Sequence, residues 1–183
     1  MAGSGRFLSA TARRRRRNAS VTLLLTLGAT PLAADTPLAM VTTKSLNFGT
    51  FAVMGTAIRQ VGADGTVTGS GLMAIRGSVE SPAEYVVTYS AKLPVVVLGL
   101  TLGSVAPITI NGVTGKIDNF VTDLQGLPAI QPGESRTFVV PNCRQPTCSF
   151  TFRVGGRLTL NGGAGGGTFV FPLPLSVRLI AEQ

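Results

Sequence analysis

Few residues in this chain have side chains suited to catalysis, and none of the 183 positions is a histidine. Without histidine there is no Ser-His-Asp or Cys-His arrangement and no usual general base near neutral pH. Paired carboxylates remain the one common catalytic option. The candidates are Glu80 with Glu84, and Asp118 with Asp123. Both pairs lie in or beside strand patterns, where solvated positions explain them better than a hydrolase centre, so we predict that the chain is not an enzyme.

Motifs for metals and cofactors are also weak. Asp118 and Asp123 offer oxygen ligands to calcium, but they lack the regular spacing of a calcium-binding loop. The glycine-rich segment Asn161–Gly167 is followed by no Lys-Ser/Thr pair and opens no helix, so it is not a phosphate-binding loop. Tyr85 and Tyr89 fit core or rim positions better than a sugar-stacking platform. We therefore assign no catalytic, cofactor-binding or metal residue and expect no cofactor.

The two cysteines, Cys143 and Cys148, enclose four residues. In an exported protein an even pair predicts a structural disulfide, and closing so short a loop stabilises by about 2 kcal/mol in the chain-entropy model. We expect it to fasten the tip of a hairpin between a strand ending at Val140 and one starting at Ser149. Redox-active pairs are normally two residues apart, and a zinc site would need further ligands.

The N-terminal residues have the pattern of a secretory signal peptide. Arg13–Arg17 precede a short apolar run, Val21–Ala29, which ends at Pro31 and small residues. As a helix, the fourteen residues from Val21 to Ala34 would span about 21 Å, less than the roughly 30 Å hydrocarbon core of a bilayer. We predict a signal peptide over residues 1–34, without a stable transmembrane anchor. Cleavage after Ala29, Ala33, Ala34 or Ala39 remains open, with Ala34 preferred.

The positive charge of the chain is concentrated in this leader. Six of the 16 basic residues precede residue 21, whereas all eight acidic residues follow it. From residue 35 onward ten basic residues face eight acidic ones, so a nucleic-acid partner loses its support. A retained anchor and an arginine-rich nucleic-acid arm are the weaker readings of the leader. The expected localisation is export to the periplasm, the cell surface or the medium.

The segment Thr168–Ile180 sets the expectation for the fold. Its odd positions, from Phe169 to Leu179, are all sizeable apolar residues, which indicates a strand with one buried face. Pro172 and Pro174 on the other face favour an edge strand or a bent strand that changes partners midway. No ten residues show helical periodicity. We predict one all-β domain over residues 35–183, an antiparallel β-sandwich that is Ig-like or pilin-like.

Other segments give local expectations. Leu38–Thr43 is a weak strand candidate, and Gly49 marks a bulge or a close backbone approach. Leu124–Gly133 is most simply a loop, and Asn161–Gly167 is expected to be a flexible hairpin loop before the last strand.

Three motifs, in order, resemble a known family. They are an L-x-F-G-x-hydrophobic opening at Leu46–Phe51, an S-P-A-x-aromatic strand at Ser81–Val87, and a V-G-G-x-L segment at Val154–Leu160 followed by the final strand. Together they resemble the bacterial secreted family catalogued as domain of unknown function 4402, whose members look pilin-like or surface-associated. The Cys143–Cys148 loop looks like an insertion, and Gly165–Gly167 stand where the family pattern has a tyrosine. The resemblance implies no catalytic or binding residue.

Two functions fit these observations. The first is an exported, non-catalytic cell-envelope protein, a pilin-like or surface structural subunit. Such a subunit would self-assemble, or bind a chaperone, through β-strand addition. In this hypothesis residues 35–45 serve as the donor strand for another subunit. The alternating last strand is the one with which a chaperone pairs. The second is a monomeric binding module for glycans or envelope components, with Leu124–Gly133 as a binding loop.

Overall fold

A computed structural model describes residues 38–90, 94–140, 145 and 147–183. These residues form twelve β-strands, and no helix occurs among them. The strands are β1 Leu38–Lys44, β2 Leu46–Val61, β3 Val67–Ala74, β4 Ala83–Tyr89, β5 Val96–Leu102, β6 Ile108–Ile110, β7 Val113–Thr122, β8 Ala129–Ile130, β9 Ser135–Val140, β10 Cys148–Gly162, β11 Ala164–Phe171 and β12 Leu175–Glu182. The predicted leader, including its cleavage sites before Ala39, lies outside the described residues.

The strands form two sheets, and all the named strand pairs are antiparallel. A nine-stranded sheet contains the order β1-β4-β10-β2-β11, with β3 beside β2 and with β6 and β8 beside β7. A three-stranded sheet has the order β12-β5-β9. Apolar side chains of both sheets share one core, in which Phe138 of the small sheet meets Phe150 of the large one at a ring-centroid distance of 6.0 Å. The predicted all-β, sandwich-like fold is confirmed.

β10 is the central strand of the large sheet. Along one edge it pairs first with β4 and then with β2, while along the other edge it pairs with β7 from Val154 onward. Gly155 permits a close approach to β2, because an added Cβ would lie 2.2 Å from the carbonyl oxygen of Val61. Phe152 and Val154 are buried, so this strand contributes to the core on its inner face.

The last predicted strand is divided between the two sheets. Phe169 and Phe171 are buried in β11, which pairs with β2, whereas β12 pairs with β5 in the small sheet. Pro172 and Pro174 lie in the connection, so the prediction of a strand that changes partners is confirmed. The apolar side chains become more exposed from Phe169 toward the end of the segment, and Leu179 is 42% exposed.

Two predicted hairpins are absent from the described residues. Asn161–Gly167 is not a hairpin loop, because β10 and β11 run in the same direction along β2. Leu160 of β10 lies opposite Ala57, and Ala164 of β11 lies opposite Met54. Glycine allows this because added Cβ atoms at Gly165 and Gly166 would each lie 2.1 Å from a backbone carbonyl oxygen. Likewise β9 and β10 lie in different sheets, so the chain between them connects the sheets and is not a hairpin tip.

The predictions for short segments agree better with the structure. Leu38–Lys44 forms β1, which supports the weak strand prediction, and Gly49 has a φ of 87° where β2 shifts register. An added Cβ at Gly49 would lie 2.6 Å from Glu80 Oε1, so the residue provides both a bulge and a close approach. The predicted loop Leu124–Gly133 contains the short strand β8, paired with β7.

Candidate functional site

The four candidate carboxylates lie in separate ion pairs or hydrogen bonds. Glu80 Oε1 is 2.5 Å from Arg59 Nη2 and accepts a hydrogen bond from Ser78 Oγ. Burial acts to raise the pKa of Glu80, but the hydrogen bonds from Ser78 and Arg59, with the charge of Arg59, leave it below its ordinary value. Glu84 accepts a hydrogen bond from Thr43, which with Lys44 and Arg153 lowers its pKa. Both are therefore ionised acceptors at neutral pH.

The second predicted pair is also divided. Asp118 Oδ1 accepts a hydrogen bond from Arg157 Nε at 2.8 Å, and its Oδ2 accepts one from Thr159; these bonds lower its pKa against an opposing effect of burial. Asp123 Oδ1 instead accepts the backbone N–H of Arg153 at 2.7 Å. Within the described ranges no group of three or more Asp, Glu or Cys side chains is placed to hold a metal ion.

The two tyrosines belong to the core. Tyr85 is 1% exposed and stacks on Phe152 at a centroid distance of 5.2 Å, and burial raises the pKa of its hydroxyl to about 12. Tyr89 is 4% exposed and packs edge-on against Phe150. Neither ring face is available for stacking on a sugar, which agrees with the core interpretation.

The predicted disulfide stays a prediction, because Cys143 lies outside the described residues. Cys148 begins β10 and packs, partly buried, against the core. It stands opposite Tyr89 in the sheet. A bond to Cys143 would therefore anchor the connection between the two sheets at the first residue of β10.

A concave surface lies between β9 and β10, and we call it the β9–β10 groove. Its volume is about 800 Å³. Its lining residues are Asp123, Leu124, Gln125, Gly126, Thr137, Phe138, Val139, Val140, Phe150 and Thr151. Phe138 and Val140 are buried, whereas Asp123 is exposed at the rim and is the only charged residue among the lining residues that the structure describes. The groove is thus apolar at its base and negative at one end.

One wall of this groove is an unpaired strand edge. The backbone N–H of Arg153 donates to Asp123 Oδ1, and the carbonyl of Arg153 accepts the N–H of Asp123 at 3.3 Å. Since backbone groups alternate between the two edges of a strand, those of Ser149 and Thr151 point to the same side as those of Arg153. β7 pairs with β10 only from Val154, so no described strand satisfies this stretch.

A second unpaired edge belongs to β3, and we call it the β3 edge. Among the described strands β3 pairs only with β2, and seven of its eight residues are exposed. Its sequence, VTGSGLMA, contains no charged residue and no proline. β2 and β3 are consecutive antiparallel strands and form a hairpin. Six of the twelve exposed large hydrophobic side chains of the described residues lie in or beside this β2–β3 hairpin: Met54, Ile58, Val67, Met73, Ile75 and Val79. Met54 is 84% exposed and Met73 is 70% exposed.

The motif residues are structural in this fold. Leu46, Phe48 and Phe51 are buried, and the bulge at Gly49 lets all three face the core despite their uneven spacing. Ser81 exchanges two backbone hydrogen bonds with Asn47, both at 2.9 Å. These residues connect β2 to the start of β4, so the motifs mark how the sheet is assembled.

The class defined by this architecture is an all-β, sandwich-like domain whose family motifs occupy core positions. The sequence model of the family described as domain of unknown function (DUF4402) matches residues 38–173. The chain belongs to this family. No curated protein and no solved structure gives a significant match. Among the described residues, no helix is long and apolar enough to span a bilayer.

Proposed function

We propose that this chain is an exported, non-catalytic protein of the bacterial cell envelope, a surface or pilin-like structural subunit that associates with copies of itself. The observation that carries the proposal is the β3 edge. A row of unpaired backbone N–H and C=O groups is a template for another strand, and monomeric proteins commonly protect such edges with lysine, proline or bulges. β3 has neither lysine nor proline, a bulge of β2 opposite Gly71 interrupts its pairing with β2, and exposed methionine and aliphatic side chains surround it.

The chemistry of β3 fits a second copy of itself. In a two-fold antiparallel pairing residue i of one copy faces residue j of the other, and near the axis a residue faces its own counterpart, so a charged residue there would face a like charge. The absence of charge from Val67–Ala74 removes this repulsion. Pairing of two such strands would also bring together the apolar side chains of Met54 and Met73, whose exposed area favours association. The predicted leader supports export, and the structural roles of the motif residues support a non-catalytic task.

The test compares two lysine variants in mature protein purified from its own host. Thr68→Lys places a charge on the β3 edge. Gln60→Lys is the matched control, because Gln60 is exposed and faces Thr68 on β2, which is paired on both sides. Sedimentation velocity should show oligomers for the unaltered protein and for Gln60→Lys. Thr68→Lys should dissociate at about tenfold higher concentration or more, since a lysine on an edge strand opposes the addition of another strand.

Two results would contradict the proposal. One is an unaltered protein that stays monomeric at the highest soluble concentration. The other is a Thr68→Lys variant that associates as strongly as the control. In either case the monomeric binding module becomes the better hypothesis, and the β9–β10 groove is the observation that favours it.

A further inference from the structure

We infer that the β9–β10 groove binds an extended polypeptide segment, with apolar side chains at alternate positions and a basic residue at the end beside Asp123. This inference goes beyond the proposed self-association, because it concerns another part of the molecule and another partner. Nothing at the β3 edge is needed for it.

The unpaired edge of β10 identifies the partner as a polypeptide in β conformation. The backbone groups of Ser149 and Thr151 point to this unpaired edge, as the alternation from Arg153 requires, and Thr151 lines the groove. They offer both donors and acceptors at the spacing of a strand. An extended peptide satisfies such a row fully, and this mode of binding supplies affinity through the main chain.

The base of the groove explains the alternation of apolar side chains. Phe150 on β10 and Phe138 on β9 meet at 6.0 Å in an edge-to-face contact, with Val140 beside them. Side chains of a bound strand point alternately toward this base and toward solvent. Every second residue of the ligand would therefore bury apolar surface, while the residues between them stay polar.

The negative charge of Asp123 favours a basic residue at the adjacent end of the bound peptide. Among the described residues that line the groove only Asp123 is charged, and within the same part of the chain only its Oδ1 has a hydrogen-bond partner, the N–H of Arg153. A lysine or arginine beside Asp123 gains a partner, whereas an acidic residue is repelled. The groove thus distinguishes peptides by the charge at one end as well as by their apolar pattern.

The probe is a seven-residue peptide, acetylated and amidated, with valine at alternate positions, threonine between them and one lysine. Two versions carry the lysine at the N-terminal or the C-terminal end, because the direction of the bound strand is part of the question. Isothermal titration calorimetry with the mature protein should show binding of one version. Replacing its lysine by glutamate should weaken the affinity by about threefold or more, as expected for one ion pair.

Two further comparisons test the geometry. Asp123→Asn keeps Oδ1 as the acceptor for Arg153 but removes the charge, so it should bind the lysine and glutamate peptides equally. N-methylation of every second residue of the peptide blocks the amides on one edge only. Methylation of the set that faces β10 should weaken binding by more than about tenfold, since several hydrogen bonds are lost; methylation of the other set should change it little.

The inference is overturned if neither peptide version binds, if both methylated sets bind equally, or if the two peptide charges are not distinguished by the unaltered protein. Binding of a small apolar molecule such as hexanol without any peptide binding would also overturn it, in favour of a small-ligand site. The Thr68→Lys and Gln60→Lys variants report on the proposed function separately. Peptide binding should be the same in both, so either hypothesis can fail alone.

Discussion

Two of the unpaired edges of the large sheet, the β3 edge and the free stretch of β10, differ in what surrounds them. The β3 edge is exposed on an outward hairpin, carries no charge, and is flanked by methionine and aliphatic side chains. The unpaired stretch of β10 borders a groove whose base contains the buried Phe138 and the half-buried Phe150, and it ends at a carboxylate. An open, uncharged edge accepts a like edge, whereas an edge beside an apolar groove selects a slender segment of defined pattern and charge. Exposure and charge, more than unpaired backbone alone, determine the partner.

The largest expected effect concerns the strand pairing on which both edges depend. Gly155→Ala should destabilise the domain by about 3 kcal/mol, because the new Cβ would collide with backbone atoms of Val61, at the end of β2, and of Gly62, which follows it. Gly163→Ala is the control, since nothing lies within 4 Å of a Cβ there. Urea denaturation followed by circular dichroism measures both. Equal midpoints for the two variants would mean that β10 and β2 do not approach this closely.

A smaller loss of folding stability is expected when the ion pair between Arg59 and Glu80, beside the β2–β3 hairpin, is broken. Arg59 and Glu80 side chains are 12% and 18% exposed, and Arg59 Nε is buried without a hydrogen-bond partner among the described residues. Glu80→Gln leaves the guanidinium without its counter-charge and should cost about 2 kcal/mol. Glu134→Gln, in an exposed pair with Arg136, should cost less than about 0.5 kcal/mol. Chemical denaturation at pH 7 would show the contrast.

The same pair gives a pH dependence with a definite sign. The pKa of Glu80 is lowered in the folded chain, so the carboxylate stabilises the fold above its ordinary pKa of 4.5, and the contribution is lost as the pH falls through the folded value. Glu80→Gln has no such group. The difference in unfolding free energy between the unaltered protein and this variant should therefore shrink below pH 4.5. A constant difference down to pH 3 would contradict the assignment.

Next in size, one backbone change should separate the two edges. Thr151→Pro removes an N–H that faces the groove, while the hydrogen bonds of β10 to β4 use neighbouring residues. Peptide affinity should fall by about tenfold, and self-association should stay unchanged. Sedimentation and calorimetry on the same preparation measure both, and thermal unfolding checks the fold. A loss of self-association in a folded variant would show that the edges are not independent.

The smallest expected effect is that of salt. Association through the β3 edge involves no charged residue, so raising sodium chloride from 0.05 M to 0.5 M should not weaken it. Peptide binding in the groove includes one ion pair with Asp123, and screening should weaken it by about twofold. An association of the whole protein that weakens in salt would place charged residues in the interface and exclude the β3 edge as its centre.

The sequence allowed the local features of the fold to be predicted, where one residue type restricts the backbone. Gly49 indicated a bulge, and Pro172 and Pro174 indicated a change of strand partner; the structure has both. The passage from β10 to β11 was missed. A glycine-rich stretch is typical of hairpin loops, and only the distant partner β2 reveals that these glycines let two backbones approach. Local preferences cannot specify a partner so far away in the chain.

The candidate sites were harder to predict for the same reason. Asp123 and the segment after it were noticed for possible calcium or ligand binding, but the groove also needs Thr137–Val140 and Phe150. These residues come together only because β9 and β10 belong to different sheets. The β3 edge had a visible signal, an eight-residue strand without charge or proline, but the sequence does not show which strands lie at an edge.

The division of the last segment between the sheets also determines when the domain can form. Leu46, at the start of β2, pairs with Phe171, and β5 pairs with β12 near the C-terminus. Pairings so distant along the chain close slowly. A chain that emerges N-terminus first has neither partner until its final residues are available. β2 and β5 therefore lack these partners until β11 and β12 have been synthesised, and the two sheets can be completed only then.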